Sequence, residues 1–151
     1  MRAARVNGTY QVFATEPVPP GHVVLVIDGT EVDQASRHSL QVDEHEHIEV
    51  VSELSEQELL DRHPWRFTNH SCDPNTRLSG RTLVAIRRIG AGEEVTFDYN
   101  TTEYELAEPF ACHCGSAGCI GTVRGFKYLS AAERERLRPL LARHLHRTGG
   151  D

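Results

Sequence analysis

Lysine is almost missing from this chain: of 16 basic residues, Lys127 is the sole lysine and the rest are arginine. Long apolar runs are missing too. The longest aliphatic stretch is Val23 to Ile27, far short of the roughly 20 residues that a membrane-spanning helix needs, so no membrane partner is expected. No charged segment followed by an apolar run opens the sequence, so no secretory leader is expected. An intracellular protein follows as the expectation, cytoplasmic in a prokaryote and nuclear in a eukaryote. Positive charge is not in excess: the net charge is −6 at pH 7, which argues against a general nucleic-acid binder. There is no internal repeat and no low-complexity linker, and 151 residues suit one domain with one core.

With 38% hydrophobic and 25% charged residues, the composition is that of an ordinary globular chain, slightly polar. From Asp43 to Asp61, both included, there are eight acidic residues and no lysine or arginine. That stretch reads as a solvated face, or as a surface that attracts a basic peptide. His45 and His47 within it, and His144 with His146, read as solvated rather than metal-binding. Four cysteines in a reducing compartment favour a metal site over two disulfides.

Short strands separated by Gly/Pro turns dominate the pattern. Val12 to Ala14, Val23 to Ile27, His38 to Val42, His47 to Val51, Thr82 to Arg87 and Val95 to Tyr99 are predicted strands, with turns at Pro19-Pro20-Gly21 and Gly90-Ala91-Gly92. Ser55 with Glu58 forms a capping-box pattern for a short helix, which Pro64 ends. Ser130 with Glu133 repeats that pattern, and Leu137, Leu140, Leu141 and Leu145 share one helical face. Pro139 predicts a break near Arg138, and the end from Thr148 to Asp151 is expected to fray. The sum is a mostly β domain with a helical tail.

Cys112, Cys114 and Cys119 form a C-x-C-x4-C pattern with Gly115 and Gly118 in its turns. Thiolates so close can chelate one tetrahedral zinc, and a loop with so little apolar surface needs such a staple. Three ligands leave one place open. Cys72, the last thiol of the chain, can fill it; His113 is the alternative, but it sits between two ligands.

Three separated motifs are now in hand. Asn69-His70-Ser71-Cys72 runs on to Pro74-Asn75, Gly92 to Tyr99 reads Gly-Glu-Glu-Val-Thr-Phe-Asp-Tyr, and the cysteine cluster ends at Gly121. In order and spacing they resemble a SET-domain protein lysine methyltransferase with its post-SET zinc loop, over about Phe13 to Gly121. The resemblance implies a β-clip fold of short sheets with a knot-like crossing. It divides the chain into a SET domain (1–109), a post-SET loop (110–125) and a C-terminal helical tail (126–151). It implies S-adenosylmethionine at Arg66, Asn69 and His70, with Tyr10 beneath the cofactor and Phe126 over it, and Zn2+ on Cys72, Cys112, Cys114 and Cys119. Tyr99 matches the tyrosine at the methyl-transfer point. Phe97 matches the position that influences how many methyl groups are added, and a Phe there implies more than one. Phe126 has a second reading, as an anchor of the tail.

The implied reaction is methyl transfer to a neutral lysine amine of a basic protein or peptide, an in-line displacement that depends on positioning. Two positions depart from the family pattern. Thr9-Tyr10-Gln11 stands where a Gly-x-Gly lies under the cofactor, and His38 stands where the lysine channel has a tyrosine. The pre-SET cysteine cluster of histone-directed members is missing as well. A non-catalytic SET-fold binding module, and a methyltransferase for a small amine or non-lysine acceptor, are the alternatives.

Overall fold

The structure, a computed structural model, describes residues 1–148, the last of them by its backbone. The rest of the segment expected to fray lies outside the described residues. A hairpin opens the fold: β1 (Arg2–Val6) pairs antiparallel with β2 (Thr9–Phe13). Asn7 and Gly8 both have positive φ at its turn (52° and 81°), the backbone that two-residue hairpins require. β3 (Val23–Val26) follows, then a three-stranded sheet in which β6 (Glu46–Glu49) lies between β4 (Thr30–Val32) and β5 (Leu40–Asp43). The strand predicted from His38 starts two residues late, because Ser36 to Ser39 close a turn in which the Ser36 N–H donates to Ser39 Oγ at 2.8 Å.

Helix α1 (Glu56–Arg62) carries the expected reciprocal cap, Glu58 N–H to Ser55 Oγ at 3.2 Å and Ser55 N–H to Glu58 Oε2 at 2.9 Å. Pro64 ends it and also begins a 3-10 turn, Pro64–Phe67, a first-turn position where its missing N–H costs nothing. Next come β7 (Asn69–His70), β8 (Thr76–Ser79), β9 (Thr82–Ala85) and β10 (Thr96–Phe97). β9 lies between β3 and β8, and β10 runs parallel to β7. β11 (Phe110–Ala111) and β12 (Thr122–Val123) close the cysteine loop. α2 (Ala131–Leu137) and α3 (Arg143–Thr148) form the tail, with a 3-10 turn at Arg138–Leu140 where Pro139 interrupts the helix.

Among the described residues two apolar clusters, rather than the single core expected, hold these pieces. Val12, Ile27, Ile48, Phe67, Leu83, Ile89, Val95 and Phe97 belong to the larger one. Phe126, Leu129, Leu137, Leu141 and Leu145 form the smaller one beneath the tail. Ala142 belongs to the larger cluster, and its N–H donates to Thr101 O at 2.8 Å, so the tail is fastened to the main body. Gly125 makes the turn into the tail at φ 116°, and a Cβ there would meet Tyr104 O at 2.7 Å, so no larger residue fits.

Candidate active site and cysteine cluster

Parallel pairing of β7 with β10 sets Asn69 opposite Thr96 and His70 opposite Phe97. Asn75 secures the crossing: its Oδ1 accepts the Thr96 N–H at 2.9 Å, and its Nδ2 donates to Glu94 O at 2.8 Å. Thr76 Oγ1 donates to Thr96 O at 2.7 Å. Tyr99 thereby comes to rest against the first motif. Its N–H donates to His70 Nδ1 at 3.1 Å, and its hydroxyl donates to Thr68 O at 2.6 Å. Around its ring stand Phe97 at 4.8 Å, His70 at 5.4 Å and Phe110 at 5.8 Å between centroids.

These rings open onto a cavity of about 1140 Å³ whose lining includes Tyr10, Arg66, Asn69, His70, Phe97 and Tyr99. All but one of the catalytic and cofactor residues expected from the resemblance thus line one cavity. The exception is Phe126, which is 1% exposed and packed in the tail cluster with Arg134 stacked 4.3 Å from its ring centroid. The expectation that it covers a cofactor is corrected: the ring anchors the tail. His38 lines the cavity from an exposed loop, and its pKa is lowered by desolvation and then by the Arg66 and Arg37 charges. Sequence reasoning did not single out Phe110, Thr68 or Glu103, which line the same cavity. An aromatic two residues before Cys112 was a usable signal for the first; nothing local marks the other two.

Burial sets the protonation states here. It raises the Tyr99 phenol, with Glu103 and Glu94 adding to the effect, so the hydroxyl keeps its proton. It pushes His70 down to about 4. Because His70 Nδ1 accepts from Tyr99, the ring proton sits on Nε2, which faces Cys72 Sγ at 3.3 Å. Burial lifts Asp98 to about 6, and its Oδ1 caps the Asn100 N–H at 2.9 Å. Burial also lifts Glu103 to about 7, against the pull of hydrogen bonds from Thr102 and Gln41.

The residues present fit S-adenosylmethionine, a ligand with a carboxylate, an ammonium and ribose hydroxyls. Arg66 Nε and Thr68 Oγ1 are buried without partners among the described residues, and both residues line the cavity. Orphaned polar atoms of that kind are costly unless a ligand or water completes them. Asn69 Nδ2 is engaged by Tyr10 O at 2.6 Å and Glu94 Oε2 at 3.0 Å, which leaves its Oδ1 as the atom free to accept. Tyr10, where the family has a glycine motif, turns its hydroxyl to Glu56 Oε1 at 2.5 Å and packs its ring 4.8 Å from Phe67.

The sulfurs of Cys72, Cys112, Cys114 and Cys119 lie within 4.8 Å of one another, and no disulfide joins them. Two sulfurs on one tetrahedral zinc at about 2.3 Å would sit roughly 3.8 Å apart; Cys72 and Cys112 are separated by 3.8 Å. The Ile120 N–H and His70 Nε2 both point at Cys72 Sγ, at 3.4 and 3.3 Å. This donor set is compatible with zinc. His113 is exposed and outside the group.

The profile of the SET domain family matches residues 9–100. The chain belongs to the SET domain family. Within it, the methyltransferase flvH of Aspergillus flavus is 36% identical over 70 residues, covering 44% of this chain and 39% of flvH. The H3 lysine-36 specific histone-lysine N-methyltransferase of Yarrowia lipolytica is 43% identical over 77 residues, 46% of this chain and 10% of the relative. The chain therefore spans well under half the length of these relatives. Among solved structures, a complex of KRYPTONITE with mCHH DNA, H3(1-15) peptide and SAH superposes with a TM-score of 0.56 at 22% identity. It covers 80% of this chain and 29% of that one, which establishes the shared SET fold. The cytoplasmic location considered from composition finds no support among these relatives. No helix among the described residues is long and apolar enough to cross a membrane.

Proposed function

We propose that this SET domain transfers a methyl group from S-adenosylmethionine to the side-chain amine of a lysine in a basic protein or peptide. One observation carries the reading: the Tyr99 ring cluster shares its cavity with the unpartnered Arg66 Nε and Thr68 Oγ1. The Arg66 guanidinium would hold a carboxylate, Asn69 Oδ1 an ammonium, and the His70 backbone the adenosine end, with Tyr10 closing the floor. S-adenosylmethionine, when bound, supplies an electrophilic methyl on a sulfonium. The protein's part is to aim the amine at that methyl, exclude water and steady the moving positive charge.

Tyr99 does this with its ring face and with the Thr68 carbonyl that its hydroxyl orients. Phe97, lacking a hydroxyl, leaves room for an amine already methylated, so products beyond monomethylation are expected. Cys72, Cys112, Cys114 and Cys119 would hold a structural zinc beside the site. Two relatives, flvH and the Yarrowia lipolytica protein, are named as methyltransferases, and the KRYPTONITE complex holds an H3(1-15) peptide and SAH. Four carboxylates in the cavity lining, Glu56, Glu94, Glu103 and Glu108, favour a basic acceptor.

Incubation with isotopically labelled S-adenosylmethionine and a lysine-peptide library should label peptides, and Tyr99→Phe should lower the rate at least about 100-fold. Cofactor binding without transfer to any lysine peptide would replace this reading with a binding module or a different acceptor.

A further inference from the structure

Lysine is an ammonium at neutral pH and must lose a proton before its nitrogen can attack. The groups nearest the transfer point are unsuited to take it. Tyr99 keeps its own proton and donates it to Thr68 O. His70 has Nδ1 filled by the Tyr99 N–H and a proton already on Nε2.

Of the four carboxylates that line the cavity, Glu56 and Glu108 are exposed, the first accepting from Tyr10 and the second standing 3.6 Å from Arg37. Glu94 is half-buried and engaged by Asn69. Glu103 alone is buried, at 8% exposure. It lies one turn past Tyr99, donating its N–H to Tyr99 O at 2.9 Å. Its Oε2 is fixed by the Gln41 N–H at 2.9 Å and by Thr102 Oγ1 at 2.7 Å. Both hydrogen bonds to this carboxylate go to Oε2, and Oε1 takes none among the described residues.

We infer that Glu103 is the group that takes the proton from the incoming lysine ammonium, through Oε1. The inference rests on the methyl-transfer reading above. The ammonium N–H bond breaks, the proton bonds to Oε1, and the amine keeps the electron pair. That pair then forms the new bond to the methyl carbon. The carbon–sulfur pair stays with sulfur, and the product leaves as a methylated ammonium. The proton on Oε1 returns to water at the cavity mouth when the product leaves.

A carboxyl lifted to about 7 is matched to that task near neutrality. The ionisable groups on the elements packed around Glu103 do not compete. His47 on β6 and His144 on α3, expected from the sequence to be solvated, are buried by packing instead, which depresses both, and His144 donates to Thr102 O at 2.7 Å. Asp43 on β5 is exposed and paired with Arg147 on α3 at 3.1 Å, and Arg143 on α3 is exposed.

The test compares wild type with Glu103→Gln and Glu103→Asp in the full zinc-loaded chain. Glutamine keeps an acceptor oxygen for Gln41 and Thr102 but takes no proton. Wild-type kcat should rise with pH through about 7, and Glu103→Gln should lose that rise and about 100-fold in kcat. Glu103→Asp should keep the rise at a lower kcat. Independently of turnover, a 13C-labelled carboxyl signal should titrate near 7 in wild type and vanish in Glu103→Gln. Unchanged kcat and pH profile in Glu103→Gln overturn the inference alone, as does a Glu103 carboxyl that titrates in the ordinary range. A fall in melting temperature and cofactor affinity with the pH profile intact assigns Glu103 a structural role and also overturns it. No transfer by wild type to any lysine peptide overturns the reading of the function, and this inference with it.

Discussion

The cysteine loop and the tail are neighbours in sequence and opposites in cohesion. From Cys112 to Gly121 most residues are exposed and the two short strands share only two residue pairs; what converges there is sulfur. From Phe126 to Leu145 five large apolar side chains are buried together, and each fully buried leucine contributes about 1.5–3 kcal/mol. A chain segment can thus be held by a few strong bonds to a metal or by many weak apolar contacts. The two respond to different insults.

The largest effect expected is on the loop. Cys72→Ser, or a strong chelator, should abolish the zinc binding expected of the cluster, read as metal content by native mass spectrometry, and deprotect the Cys112 amide in hydrogen exchange. Structural zinc contributes roughly 10–16 kcal/mol to small sites. The Leu145 amide should stay protected; its simultaneous loss would mean that the two regions are one cooperative unit. The reverse experiment is Leu145→Ala, which should destabilise the protein by about 2–5 kcal/mol in denaturant unfolding while zinc content remains unchanged. Metal lost in step with the leucine would break the comparison from the other side.

A smaller effect sharpens it at the seam where the tail meets the site. Glu103 has its folded pKa raised from the ordinary 4.5 to about 7, so the folded state holds the proton more tightly than the unfolded chain. The stability this contributes is fully present below about 4.5 and is lost as pH rises through about 7. Glu103→Gln cannot lose it. The stability of the variant relative to wild type should climb across that window by up to about 3 kcal/mol, and parallel curves would show an ordinary Glu103.

How much of this was readable beforehand follows from the kind of signal each residue leaves. The three motifs, the Ser55 cap and the break at Pro139 announce themselves locally, through residue type and spacing. β1 went unread although Asn7-Gly8, the turn that makes its hairpin, was in plain view. β8 is set by its partner β9, and pairing is not a local property. Phe126 carries the same symbol whether it covers a ligand or anchors a helix, so only packing could decide. Glu103, in Thr101-Thr102-Glu103-Tyr104, looks like surface; its burial is imposed by Gln41, 62 positions earlier.

The carbonyl oxygens of Thr101 and Thr102, in the segment that follows Tyr99, are completed by Ala142 N–H and His144 Nε2, the latter 42 residues further on. On the ribosome this means that Tyr99 and its ring cluster are synthesised well before the groups that seal the segment behind them. A nascent chain that has emerged only as far as Gly125 carries every expected metal ligand and every cavity ring named here, yet still has two carbonyls awaiting partners. The order of translation therefore makes the tail, among the described segments, the last to lock the Thr101–Thr102 backbone behind Tyr99.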